Sequence, residues 1–201
     1  MSWRKYGAVA ALSVASLLAG RATALAAPRE YPIGHFSDEF RATVTVEDTG
    51  EVFRPGAISV FERRTGRRLL RITSSELAFE VEGGEVRPDL QALPSGRQSV
   101  LVYEDFDFDG RADLAIMDGQ KSCYHGPSFQ VFLRRGQGFR KSAAFTRLAQ
   151  RYCGMFAVDS QAKRLFTVTK SGCCSHQRTT YDVVRHAPRL LATVKESFEP
   201  Q

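Results

Sequence analysis

Apolar and polar residues alternate with a period of two through most of this chain, and no segment sustains the 3.6-residue period of a helix for four turns. Phe40, Ala42, Val44 and Val46 alternate with Arg41, Thr43, Thr45 and Glu47, the pattern of a strand with one face in a core. Comparable runs at 57–62, 69–73, 77–81, 99–103, 113–117, 129–133, 164–169, 179–184 and 190–194 predict further short strands. Arg64-Thr65-Gly66-Arg67 and Glu82-Gly83-Gly84-Glu85 supply the glycines that tight β turns need, so both read as hairpin connections. Only 143–151, with Ala144, Phe145 and Leu148 on one face, reads as a short helix. Residues 27–38 read as irregular and 196–201 as frayed. The expected fold is all-β, with short antiparallel sheets in a propeller-like or sandwich arrangement.

The first residues break this pattern. Arg4 and Lys5 precede an apolar run from Ala8 to Ala19, and Ala24-Leu25-Ala26 fits the small-x-small rule for cleavage of an export signal. The run is shorter than the ~20 residues a membrane-spanning helix needs, and Arg21 closes it, so an uncleaved anchor is the lesser alternative. Residues 1–26 are therefore expected to be a signal peptide, and 27–201 one β-rich domain, soluble in the periplasm or secreted, without stable membrane insertion. The signal takes three of the 28 basic residues, leaving 25 against 22 acidic ones, a charge of +3. The remaining arginines are not interleaved with aromatics, so nucleic acid is not an expected partner.

All four cysteines, Cys123, Cys153, Cys173 and Cys174, follow the cut, and an even count in an oxidising compartment points to disulfides. Three pairings are open. A bridge between the neighbours Cys173 and Cys174 closes a strained ring, which favours longer bridges tying Cys123 to the segments around Cys153 and Cys173. Cys123-Tyr124-His125 and Cys174-Ser175-His176 also supply the ligand types of a zinc site, which oxidation of the thiols pre-empts.

The strongest chemical signal is Asp105-Phe106-Asp107-Phe108-Asp109-Gly110-Arg111-Ala112-Asp113. Carboxylates at the first, third, fifth and ninth positions point around one centre, the glycine permits the bend, and the Arg111 carbonyl adds a hard oxygen. Such a set suits Ca²⁺ rather than Zn²⁺, which prefers nitrogen and sulfur. The alternative is an acidic turn without a metal. Ile116 stands where a helix-flanked calcium loop has its glutamate, and the flanks read as strands, so the site is of the strand-loop-strand type. It serves as a staple, with no sign of an open catalytic position. Neither a G-x-S-x-G elbow nor an H-E-x-x-H pair occurs, and no catalytic residues are assigned; the chain is not expected to be an enzyme.

The loop resembles the calcium loop of FG-GAP repeats, including the Asp-Leu-Ala that ends it and the later Gly138-Phe139. Together with Gly126-Pro127-Ser128-Phe129, the run Gly154 to Asp159, and Ser171-Gly172-Cys173-Cys174-Ser175-His176 with Tyr181, it is similar to calcium-binding periplasmic immunity proteins. These inhibit peptidoglycan hydrolase effectors of bacterial-killing type IV secretion systems. The likeness covers about residues 100–192; the chain lacks the lipid-bearing cysteine that members of that family can carry. Ser171-Gly172 followed by Tyr181 also resembles, at different spacing, the Ser-Gly and Tyr loops of lysozyme inhibitors. The resemblance implies a protein partner, a lysozyme-like glycoside hydrolase whose cleft is occluded. The residues expected to meet it are Tyr124 and His125 in a long loop, 118–128, with Ser175 and His176 in a second loop, 170–177. In the alternative, Tyr124 packs on its own sheet. The competing function is a calcium-dependent carbohydrate-binding or adhesive module without inhibitory activity.

Overall fold

The computed structural model describes residues 27–88, 99–171 and 175–197. The expected signal at 1–26 and the expected disulfide partners Cys173 and Cys174 lie outside these. The chain is all-β, built as three antiparallel four-stranded sheets, each laid down in sequence order. The first holds β1 (Arg29–Ile33), β2 (Phe40–Val46), β3 (Arg54–Glu62) and β4 (Arg68–Leu77). The second holds β5 (Leu101–Glu104), β6 (Asp113–Ser122), β7 (Gly126–Arg135) and β8 (Gly138–Lys141). After α1 (Ala143–Arg151), the third holds β9 (Ala157–Asp159), β10 (Arg164–Ser171), β11 (Ser175–Val184) and β12 (Ala187–Ser197). Short meanders of this kind are the unit of propeller-like folds.

The alternation in β2 does what it predicts: Phe40, Ala42, Val44 and Val46 are all buried while Arg41 faces solvent. Strand β6 differs. Leu114, Ala115, Ile116 and Met117 are all buried, because β4 packs nearby and α1 covers β6 and β7. Ser142 caps α1 by accepting from the Phe145 amide, and the helix buries Phe145, Leu148 and Ala149. Its Thr146 hydroxyl accepts from the Val131 amide at 3.0 Å, satisfying a strand group that β8 does not reach. One contiguous core runs from Ile33 to Tyr181 and draws on all three sheets.

Four boundaries depart from the sequence reading. The second loop, expected at 170–177, is mostly ladder, because β10 runs to Ser171 and β11 starts at Ser175, with Lys170 paired to His176. Residues 27–38 are not wholly irregular, since 29–33 form edge strand β1, where Pro32 is tolerated. The run 77–81 is not a strand: Leu77 ends β4, and Phe79 leaves to lie under the Arg54 guanidinium, 4.5 Å away. The long loop expected at 118–128 is mostly ladder, because β6 runs to Ser122 and β7 starts at Gly126. Gly119, at φ +140°, marks the irregular register that admits this extension.

Gly56 sits where a side chain has no room: a Cβ there runs into the Thr45 carbonyl and the Val46 side chain. Gly56→Ala is expected to destabilise the protein by about 1–3 kcal/mol, measured by urea unfolding.

Candidate functional site

The sequence-predicted residues fall at the two ends of β6. Asp113 opens that strand and Ser122 closes it, so the acidic loop and the Tyr124 turn lie roughly 30 Å apart at the usual rise per residue. Strand β11 runs the same course. Its end at Val184 leads to His186, which reaches the acidic loop, while its start at Ser175 lies beside the Tyr124 turn.

At the first pole, Phe106 is fully buried and packs edge-on against Phe156, which fixes the acidic loop to the core. Asp105 accepts from the Asp109 and Gly110 amides at 3.1 and 2.8 Å, closing the turn. Asp113, with no exposed surface, accepts from Phe106 N at 2.9 Å and Arg134 N at 2.7 Å. Oxygens of Asp105, Asp107 and Asp113 all lie within 4.8 Å of one another. Asp109 turns elsewhere: a second group with the same spacing joins Asp107 and Asp109 to His186. The Arg111 side chain donates to the Gly136 carbonyl, and its amide donates to Asp109 at 3.0 Å. Sequence reading missed His186 and Arg135, whose guanidinium bridges Asp107 at 2.7 Å and Asp109 at 3.2 Å.

The electrostatics of this pole favour a cation. Asp107 is 6% exposed, and its Oδ1 has no hydrogen-bond partner among the described residues. Burial, reinforced by the neighbouring Asp107 and Asp105 charges against two backbone donors, raises the Asp113 carboxyl to about 7. Asp107 in turn raises the Arg135 pKa through their hydrogen bond. Because the Asp113 carboxyl ionises higher in the fold than in the unfolded chain, its contribution to stability is full below pH 3.8 and is lost as pH rises through about 7. In chelator, unfolding free energies measured between pH 4 and 8 should show this fall, and Asp113→Asn should flatten it.

At the second pole, Cys123, Tyr124 and His125 form a single tight turn between β6 and β7. Tyr124 and His125 both have left-handed backbones, φ +53° and +59°, a conformation that costs side-chain-bearing residues about 1 kcal/mol or more each. A disulfide from Cys123 to Cys153 and a hydrogen bond from Cys123 N to the Tyr152 carbonyl hold the turn. The bridge also removes Cys123 from any Cys-His zinc set. Tyr124 is 69% exposed, which excludes the packed alternative, and its hydroxyl donates to the Lys170 carbonyl at 3.3 Å. His125 turns back, with Nδ1 3.0 Å from the Gln120 carbonyl. Lys170 is the register partner of His176, so the half-buried Ser175 and His176 adjoin the same tip. Two turns 46 residues apart thus form one surface.

These features define a class: an all-β protein of three four-stranded sheets with an acidic loop at one pole and a disulfide-pinned aromatic tip at the other. No family profile and no curated protein matches the chain. A solved structure described as "Structure of a Xanthomonas Type IV Secretion System related protein" superposes over 84% of this chain and 82% of that one, with a TM-score of 0.60 and 17% identity. The likeness shows a shared fold. Among the described residues no helix is long and apolar enough to cross a membrane.

Proposed function

We propose that this chain acts outside the cytoplasm as an inhibitor that protects against a peptidoglycan hydrolase of a type IV secretion system, by seating Tyr124 in the hydrolase cleft. The observation that carries the reading is an exposed tyrosine on a turn held in a costly conformation by a disulfide. Hydrolase clefts of this class hold a carboxyl pair among sugar subsites. A tyrosine ring fills a subsite, and its hydroxyl hydrogen-bonds a carboxyl group. The shared fold with a secretion-system protein supports the setting. At the far pole, Asp105, Asp107 and Asp113 offer oxygens to one Ca²⁺, which supplies charge neutralisation and no catalysis.

Tyr124→Ala is expected to weaken inhibition of cell-wall lysis roughly thirtyfold or more, the usual effect of losing an interface anchor. Its melting temperature should stay near that of the unsubstituted protein, because exposed substitutions rarely change stability by more than about 0.5 kcal/mol. The assay uses a purified lysozyme-like peptidoglycan hydrolase effector of a type IV secretion system; full inhibition by Tyr124→Ala would exclude the plug.

A groove of about 380 Å³ on the third sheet, lined by Tyr152, Thr169, Gln177 and Tyr181 among others, favours the second reading, a carbohydrate-binding module. Retention on purified peptidoglycan without any hydrolase distinguishes it.

A further inference from the structure

His186 reaches the acidic loop from 79 residues away. It sits in the two-residue turn joining β11 to β12, where Arg185 and His186 both have left-handed backbones, φ +50° and +57°. This hairpin geometry brings its Nδ1 to 2.8 Å from Asp107 Oδ2. The other Asp107 oxygen is buried and unpartnered among the described residues. Arg135 lies across the same two carboxylates as a fixed cation.

We propose that Asp107, Asp109 and His186 form a second cation position, separate from the all-oxygen group of Asp105, Asp107 and Asp113, and that it takes a first-row transition-metal ion such as Zn²⁺ or Mn²⁺ in place of the Arg135 guanidinium. The donor set decides the metal class. Ca²⁺ takes oxygen ligands, whereas an imidazole joined to carboxylates suits Mn²⁺ and Zn²⁺. Spacing permits it: ligand atoms from Asp107, Asp109 and His186, one each, lie within 4.8 Å of one another, close enough to share an ion. Access is open, because the His186 side chain is 56% exposed and that of Arg135 is 34% exposed at the end of β7. A bound ion replaces the guanidinium without leaving either carboxylate uncompensated, and it fastens the third sheet to the second.

The test titrates the mature protein, saturated with Ca²⁺, with Co²⁺ followed by its visible absorption and with Mn²⁺ followed by its paramagnetic resonance. One equivalent is expected to bind. His186→Gln should weaken that binding roughly tenfold or more, and Arg135→Gln should tighten it roughly tenfold by removing the competing charge. The Ca²⁺-induced rise in melting temperature should persist in His186→Gln, which separates this position from the calcium reading. Equal Co²⁺ affinity with and without His186, or no Co²⁺ binding to the Ca²⁺-saturated protein or to Arg135→Gln, overturns the proposal. Circular dichroism confirms that each variant folds, and His186→Gln decides alone where Arg135→Gln does not.

Discussion

Replacing Cys123 and Cys153 together by serine is expected to cost about 3.6 kcal/mol, the chain-entropy value for a bridge spanning 30 residues, and to lower melting by about 7–14 °C. Both cysteines are changed so that no stray thiol can pair with Cys173 or Cys174. The bridge closes a segment that contains β7, β8 and α1, so its loss frees a large part of the unfolded chain. It also holds Tyr124 and His125 in left-handed conformations that relax once the turn is released. Inhibition, assayed well below the melting point, should therefore fall as well, because the tip loses its preset shape. A change in melting without a change in inhibition would confine the bridge to the fold. Non-reducing peptide mapping should recover Cys123 and Cys153 in one bridged peptide; alkylation of either thiol without reduction would refute the bridge.

Local patterns were readable from sequence wherever one face of an element meets water. In strand β2 the four apolar positions are all buried and Arg41 faces water, although Thr43 is buried too, and α1 spans 143–151 as its apolar face predicts. Strand β6 defeats the same reading because both its faces are buried and its second half is polar. Asp118, which looks like the start of a loop, is a buried carboxylate. It accepts from Ser128 at 2.7 Å, Gln130 at 3.3 Å and Gln150 at 2.7 Å. Gln120 likewise donates to the Glu76 carbonyl 44 residues away. Partners so distant leave no local signature, so a satisfied polar core reads as solvent-facing chain. The candidate site divides the same way. Four aspartates at fixed spacing announce themselves, whereas Arg135 and His186 arrive from 28 and 79 residues away.

In the proposed reading the two poles divide labour along β6 and β11: the tip presents one exposed ring on a rigid turn, and the acidic pole fixes the sheets that carry it. Tyr124 to Lys170 and Asp107 to His186 are contacts between the second and third sheets at opposite ends. Without the Tyr124 contact the tip end is still tied by the Cys123–Cys153 bridge and the hydrogen bond from Cys153 N to the Val168 carbonyl at 3.0 Å, whereas the acidic end relies on Asp107 to His186 and the shared core.

Chelation should expose this division. Four carboxylates, Asp105, Asp107, Asp109 and Asp113, crowd one loop against Arg135 and His186, and the Asp107 Oδ1 has no donor among the described residues. An ion at 100 times its dissociation constant adds about 2.7 kcal/mol, so excess Ca²⁺ is expected to raise melting by about 5–10 °C over chelator. Asp107→Asn should abolish most of that rise, since Asp107 belongs to both groups of ligand atoms. Asp105→Asn should reduce it, because the side chain loses its charge and one of the two oxygens that accept from the Asp109 and Gly110 amides. Protons compete for Asp113, whose carboxyl stays protonated up to about pH 7 without an ion, so the calcium-induced rise should shrink as pH falls from 8 to 5. The tip lies roughly 30 Å away, so inhibition measured below the melting point of the chelated protein should be nearly unchanged. Identical melting in calcium and chelator at pH 8 would reduce the loop to an acidic turn held by Arg135.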